Sequence, residues 1–261
     1  MARRRPSLDR DWLAATTAAG LLTILFPDHR TPETLSVRRK LRLVLCGAAR
    51  TVWDRLPHDD LRAAVEMAER FADGRASGVQ LQEVRREVNR RLIAAQSDWR
   101  RLTDTPTAPD VVASAVARYA TAAAELAQAC CNRSVTVARV AGRILADFPR
   151  LTAPSVVWEA DLLTNYRAVE VGPDPAAAVV RDIFGHPTLP HFADAWKSPT
   201  VVALAAGVAA DAGFDRLPVL ADALEDVGCE DERVLTHCRG PGPHWPGCWV
   251  VDGLTVRSPT R

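Results

Sequence analysis

The sequence predicts a mainly α protein, a multi-helix bundle with helical hairpins and a short irregular or β-like tail at its C-terminus. Apolar residues recur at steps of three and four through most of the chain. Ser, Asp, Pro and Gly stand where helices need starts and stops. No stretch alternates apolar and polar residues for long enough to build a sheet.

In chain order, Val37, Leu41, Val44, Leu45, Ala48 and Val52 form one helical stripe, with Arg38, Arg39, Arg42 and Arg50 on most of the remaining surface. Pro57 breaks the chain. Asp59 is placed to cap a helix carrying Leu61, Val65, Ala68 and Phe71, which Gly74 ends. Ser77 and Gln80 read as a capping box, opening a helix with Leu81, Val84, Val88 and Leu92 inward. The proline-rich stretch 103–109 reads as a linker.

An alanine-rich helix with Val112, Val116, Tyr119, Ala123 and Leu126 follows, up to Cys130-Cys131-Asn132. Val137, Val140, Ile144 and Phe148 line the next helix. Residues 155–171 read as helix without a clean period. Asp174-Pro175 and Ser198-Pro199 are cap-plus-proline signals, because proline at the first helical position gives up no hydrogen bond. Asp215 is placed to cap a helix with Leu217, Leu220, Ala221 and Leu224. Gly228 suits the left-handed residue after its last turn. Glu230 and Asp231 open a short helix through Val234 and Leu235, and residues 239–247 form a Pro/Gly loop before Cys248-Trp249-Val250-Val251. Composition shifts divide the chain into regions 1–102, 103–171 and 172–261, which could also pack as one compact domain.

At 261 residues with 48% hydrophobic content, the chain is long enough to bury a sizeable core. Thirty-three basic against 32 acidic residues leave a net charge of +1, which removes the broad electrostatic case for nucleic acid or an acidic membrane. The apolar run Leu21–Phe26 stops at Pro27-Asp28, far short of a membrane span. Arg3-Arg4-Arg5 is followed by Asp9, Arg10 and Asp11 where a secretory signal needs apolar residues, so a cytoplasmic location with reduced thiols is expected.

Phosphate-binding glycine loops, the H-E-x-x-H zinc motif and the G-x-S-x-G nucleophile motif are absent from the sequence. The acidic group Asp222, Glu225 and Asp226 reads as a solvated helix face. The arginines at 85, 86, 90, 91, 100 and 101 alternate with Glu83 and Glu87, which favours a salt-bridged face over a phosphate-binding stripe. Adjacent Cys130-Cys131, and Cys46, read as packed thiols.

The densest set of candidate ligands is Cys229, His237, Cys238, His244 and Cys248. Thiolate and imidazole are what zinc prefers, and four protein ligands would make a structural site with no place for water. The spacing fits no standard finger, which favours thiols packed as small hydrophobes with His237 and His244 as local hydrogen-bonders. Trp245 and Trp249 are the candidate partner-binding residues, with a core plug as the alternative.

The runs Arg181-Asp182-Ile183-Phe184-Gly185, Phe214 to Glu225, His237-Cys238-Arg239-Gly240-Pro241-Gly242-Pro243-His244 and Gly247-Cys248-Trp249-Val250-Val251-Asp252 resemble the ending of a set of uncharacterised paralogous proteins of planctomycete bacteria. The stretch Arg39 to Trp53, with Ala64 to Gly74, resembles their beginning. The resemblance spans about half the chain and implies lineage rather than activity, since it carries no reaction, cofactor or binding residue. The present chain departs from it in keeping only Cys46 where a cysteine cluster often follows Arg39-Lys40-Leu41-Arg42-Leu43.

The expectation is therefore a non-enzymatic protein-interaction or accessory protein with no cofactor and a protein partner. The alternatives are a zinc-stabilised module touching nucleic acid, or an enzyme whose site is assembled from distant residues such as His186 or His191.

Overall fold

The computed structural model describes residues 6–27, 34–103, 111–131, 174–188 and 192–255. The helices expected over 137–148 and 155–171 lie outside these residues, as do His191 and most of the 103–109 linker. The described chain is mainly helical and forms no strand. Its helices are α1 (Pro6–Ala14), α2 (Ala18–Leu25), α3 (Leu35–Thr51), α4 (Asp59–Ala72), α5 (Gly78–Thr103), α6 (Val111–Cys130), α7 (Pro175–Phe184), α8 (Pro199–Asp211), α9 (Leu217–Asp226), α10 (Glu232–Arg239) and α11 (Trp249–Leu254). They fall into two compact units, one of Ala15–Ala177 and one of Met1–Ala14 with Ala178–Arg261.

In the first unit, α3 to α6 pack on one another around Leu41, Leu45, Leu61, Val65, Leu81 and Leu126, all buried. The apolar stripe expected of α3 is only part of its interior, since Leu41 to Ala49 is buried on every side. Arg42, expected outward, is buried too: its Nε donates to the Cys130 carbonyl at 3.1 Å and its guanidinium lies over the Phe71 ring. The capping box forms, with the Ser77 amide donating to Gln80 Oε1 at 2.8 Å and the Gln80 amide to Ser77 Oγ at 3.3 Å. Asp59 does not cap α4; His58 holds that position and Asp59 pairs with Arg62 one turn on. Asp174 serves two helix starts: Oδ1 accepts from the Ala176 amide at the start of α7, and Oδ2 from the Ala18 amide of α2, whose own cap is Thr17.

In the second unit, α8 packs on α9 and α11, and α10 packs on α9 and α11. Their shared core includes Val201, Val208, Leu217, Leu220, Leu224 and Val234. Ser198 caps α8 as its Ser-Pro signal predicts, its Oγ accepting from the Val201 amide. Asp231 caps α10 in the same way through the Arg233 amide. Asp215 is not a cap; it sits in a single 3₁₀ turn, Phe214–Arg216, and α9 begins at Leu217 with Pro218 in its first turn. Gly228 adopts φ +83° and closes α9 as expected.

The tail differs from expectation. Residues 249–254 form α11, not a strand or extended segment. Trp249, Val250, Val251 and Leu254 are buried by α8 and α10, and helical backbone satisfies its own amides where no sheet edge is near.

Candidate metal centre

Four side chains from three stretches of the second unit converge on one point. α7 carries Asp182, the last turn of α10 carries His237, and the Pro/Gly loop supplies His244 and then Cys248. One ligand atom from each lies within 4.8 Å of the others. Gly242 lets the loop turn at φ +71°, where a Cβ would stand 3.2 Å from the His244 ring.

The contacts are close and the site is largely buried. His244 Nδ1 lies 2.6 Å from Asp182 Oδ1. His237 Nε2 lies 3.2 Å from the same oxygen and 3.1 Å from Cys248 Sγ. Asp182 is 4% exposed and Cys248 fully buried. Asp182 Oδ2 accepts the Trp245 backbone N–H at 2.8 Å, which leaves Oδ1 facing the two rings. His237 packs edge-on to His244 and tilts against Trp249, and His244 faces Phe214.

Electrostatics follow from this packing. Burial alone would raise the Asp182 pKa, but hydrogen bonds from His237 and His244 outweigh it and hold the carboxyl below its usual range. Burial drives the Cys248 thiol well up, with the Asp182 charge adding to it, while the backbone N–H groups of Val251 and Val250 pull it down.

Two chemistries use a thiol, imidazole and carboxylate together. A nucleophile relay needs the imidazole to touch the thiol through one nitrogen and the carboxylate through the other. In the His237 ring a single nitrogen, Nε2, faces both groups, so His237 does not link thiol to carboxylate in a chain. His244 turns Nδ1 to Asp182 and leaves Nε2 buried without a hydrogen-bond partner among the described residues. Four donors brought this close could hold a metal ion. Tetrahedral zinc bonds of about 2.0–2.3 Å place neighbouring donors roughly 3.3–3.8 Å apart. The 3.1 and 3.2 Å pairs are near that spacing, and the 2.6 Å pair would have to open by about 1 Å, a side-chain adjustment. One thiolate and one carboxylate would also cancel the charge of a divalent ion, leaving a neutral buried site.

Comparisons with protein-family models, curated proteins and solved structures find no match to this chain.

Of the five ligands considered from sequence, the structure brings together His237, His244 and Cys248. Cys229 and Cys238 are outside that group and lie in the core with α8, α9 and α11, where burial raises both thiols and takes Cys238 to about 12. Asp182 was missed. Its one signal is that it is the sole carboxylate of α7, beside Val179, Val180 and Ile183. Trp245 and Trp249 are 7% and 5% exposed, so both rings plug the interior and offer no surface anchor.

Elsewhere the arginine-rich α5 pairs with acids, Arg90 with Glu87, Arg91 with Asp60 and Arg101 with Asp98. Asp222 and Glu225 are exposed and pair with Arg239. Cys46, Cys130 and Cys131 are buried, and burial pushes the Cys131 thiol up to about 12. His186 meets Asp9 at 3.5 Å, the edge of Trp12, and Thr188 Oγ1 at 2.8 Å. No helix among the described residues is long and apolar enough to cross a membrane.

Proposed function

We propose that this protein is a zinc-stabilised helical module with a non-catalytic, accessory role, its ion held by Asp182, His237, His244 and Cys248. One observation carries this: four donors of the types zinc prefers meet within 4.8 Å in a cluster, two buried and two half-buried, assembled from three chain segments. A structural rather than catalytic ion is favoured because four protein ligands fill a tetrahedral shell and leave no position for water or substrate. All six cysteines are buried and unpaired, which suits a reducing cytoplasm. Near-neutral charge and the acid-paired arginines of α5 favour a protein partner over nucleic acid.

Elemental analysis of the full chain purified without chelator tests the proposal. One zinc per chain is expected, and cobalt(II) in its place should show the near-ultraviolet thiolate charge-transfer band of a single Co–S bond. Metal-free protein that also fails to take up added zinc would overturn it.

A further inference from the structure

We propose that the metal centre is preformed and its ion exchangeable, so that a divalent cation of the zinc class loads and leaves an already folded C-terminal unit whose stability then follows free metal. This rests on the metal reading above and concerns how the site is regulated.

The first ground is the core. Zinc fingers unfold without metal because they have little else to bury, and domains below about 40 residues usually need such a staple. The unit of Met1–Ala14 and Ala178–Arg261 is well above that size. Val201, Val208, Leu217, Leu220, Leu224 and Leu254 pack from α8, α9 and α11, and none of them neighbours a ligand in sequence.

The second ground is that each ligand has its own protein anchor. Asp182 is fixed by the α7 backbone and by the Trp245 N–H at 2.8 Å. Cys248 precedes α11, whose Asp252 amide donates to its carbonyl at 2.9 Å. The His237 ring rests on Trp249, with centroids 5.2 Å apart, and the His244 ring faces Phe214 at 6.3 Å. Outer contacts of this kind orient ligands ahead of the ion, which has only to part His244 Nδ1 from Asp182 Oδ1 as it enters.

The third ground is access. The His237 side chain is 19% exposed against 10% for His244 and 4% for Asp182, and Cys248 is fully buried. His237 is thus the most solvent-exposed of the four side chains.

The test is amide hydrogen exchange on the full chain, stripped with a strong chelator, dialysed, and titrated with zinc chloride. Stripped protein is expected to keep slow exchange in Val201–Asp211 and Leu217–Asp226. Zinc at a hundred times its Kd should slow globally limited exchange there about 100-fold, and chelator should reverse it. His237→Ala, once loaded, should release zinc faster than the parent. Loss of protection on stripping would show an obligatory folding metal, overturning exchangeability while leaving zinc binding intact. No zinc uptake would overturn both proposals.

Discussion

His244 Nδ1 lies 2.6 Å from Asp182 Oδ1, across 62 residues of chain, and the other carboxylate oxygen takes the amide of the very next residue, Trp245. Asp182 thus holds the ligand loop to α7 through both of its oxygens. Asp182→Asn keeps the shape and the acceptor for Trp245 but removes the anion. An outer-shell partner is worth about 10–100-fold in metal affinity, so losing this charged ligand should weaken zinc by at least about 100-fold in a competition titration with a chromophoric chelator. Cys248→Ser should do the same and abolish the cobalt charge-transfer band.

Cys238→Ala is the complementary case. Cys238 is buried in the core cluster and is not among the four converging side chains. The substitution should lower stability by about 1 kcal/mol through lost packing and leave zinc stoichiometry at one per chain. A fall in stoichiometry, read by elemental analysis, would place Cys238 in the ligand set.

Asp174 serves two helix starts, accepting from Ala18 and from Ala176 at 2.7 and 2.9 Å. Asp174→Ala should cost about 2–3 kcal/mol, since each cap is worth roughly 0.5–2 kcal/mol and the amides left behind are buried. Hydrogen exchange should show the loss at the first amides of both α2 and α7.

Asp231 supplies a dependence on pH. Arg233 hydrogen-bonds its carboxylate and holds the pKa below the usual carboxylate value, with the Arg233 and Val234 amides adding to it. A depressed folded pKa means that the unfolded chain takes up the proton first. The associated stability is present above about pH 3.9, the unfolded value, and drains away as pH falls through the folded value. Denaturant titrations between pH 5 and 2 should therefore show a shallower loss in Asp231→Asn than in the parent.

Arg50 ties α3 to α4. Its Nε and Nη2 meet the two oxygens of Glu69 at 3.0 and 2.6 Å while its guanidinium stacks 3.9 Å over Trp53. Lysine keeps the charge but neither the fork nor the plane. The pair is partly exposed, so Arg50→Lys should cost only about 1 kcal/mol, measured by urea unfolding.

Helix signals that act within one turn were legible in the residues: the Ser77–Gln80 box, the Ser198 and Asp174 caps, the Gly228 terminator and the stripes of α4 and α9. Each depends on groups three or four positions apart, where chain geometry alone sets the distance. Asp59 and Asp215 have the right residue type, yet the neighbouring residue or a 3₁₀ turn took the position, because the competing backbone states differ by little.

By itself, then, the sequence determined the helical class, most helix ends, and three of the four candidate ligands, His237, His244 and Cys248, which lie within twelve residues of one another. Only the tertiary structure decided that Cys229 and Cys238 belong to the core, that Trp245 and Trp249 face inward, that the tail coils into α11, and that Asp182 completes the site. These outcomes turn on which helix faces meet across tens of residues. Burial of α8 to α11 against one another fixes those faces, and no local spacing encodes it.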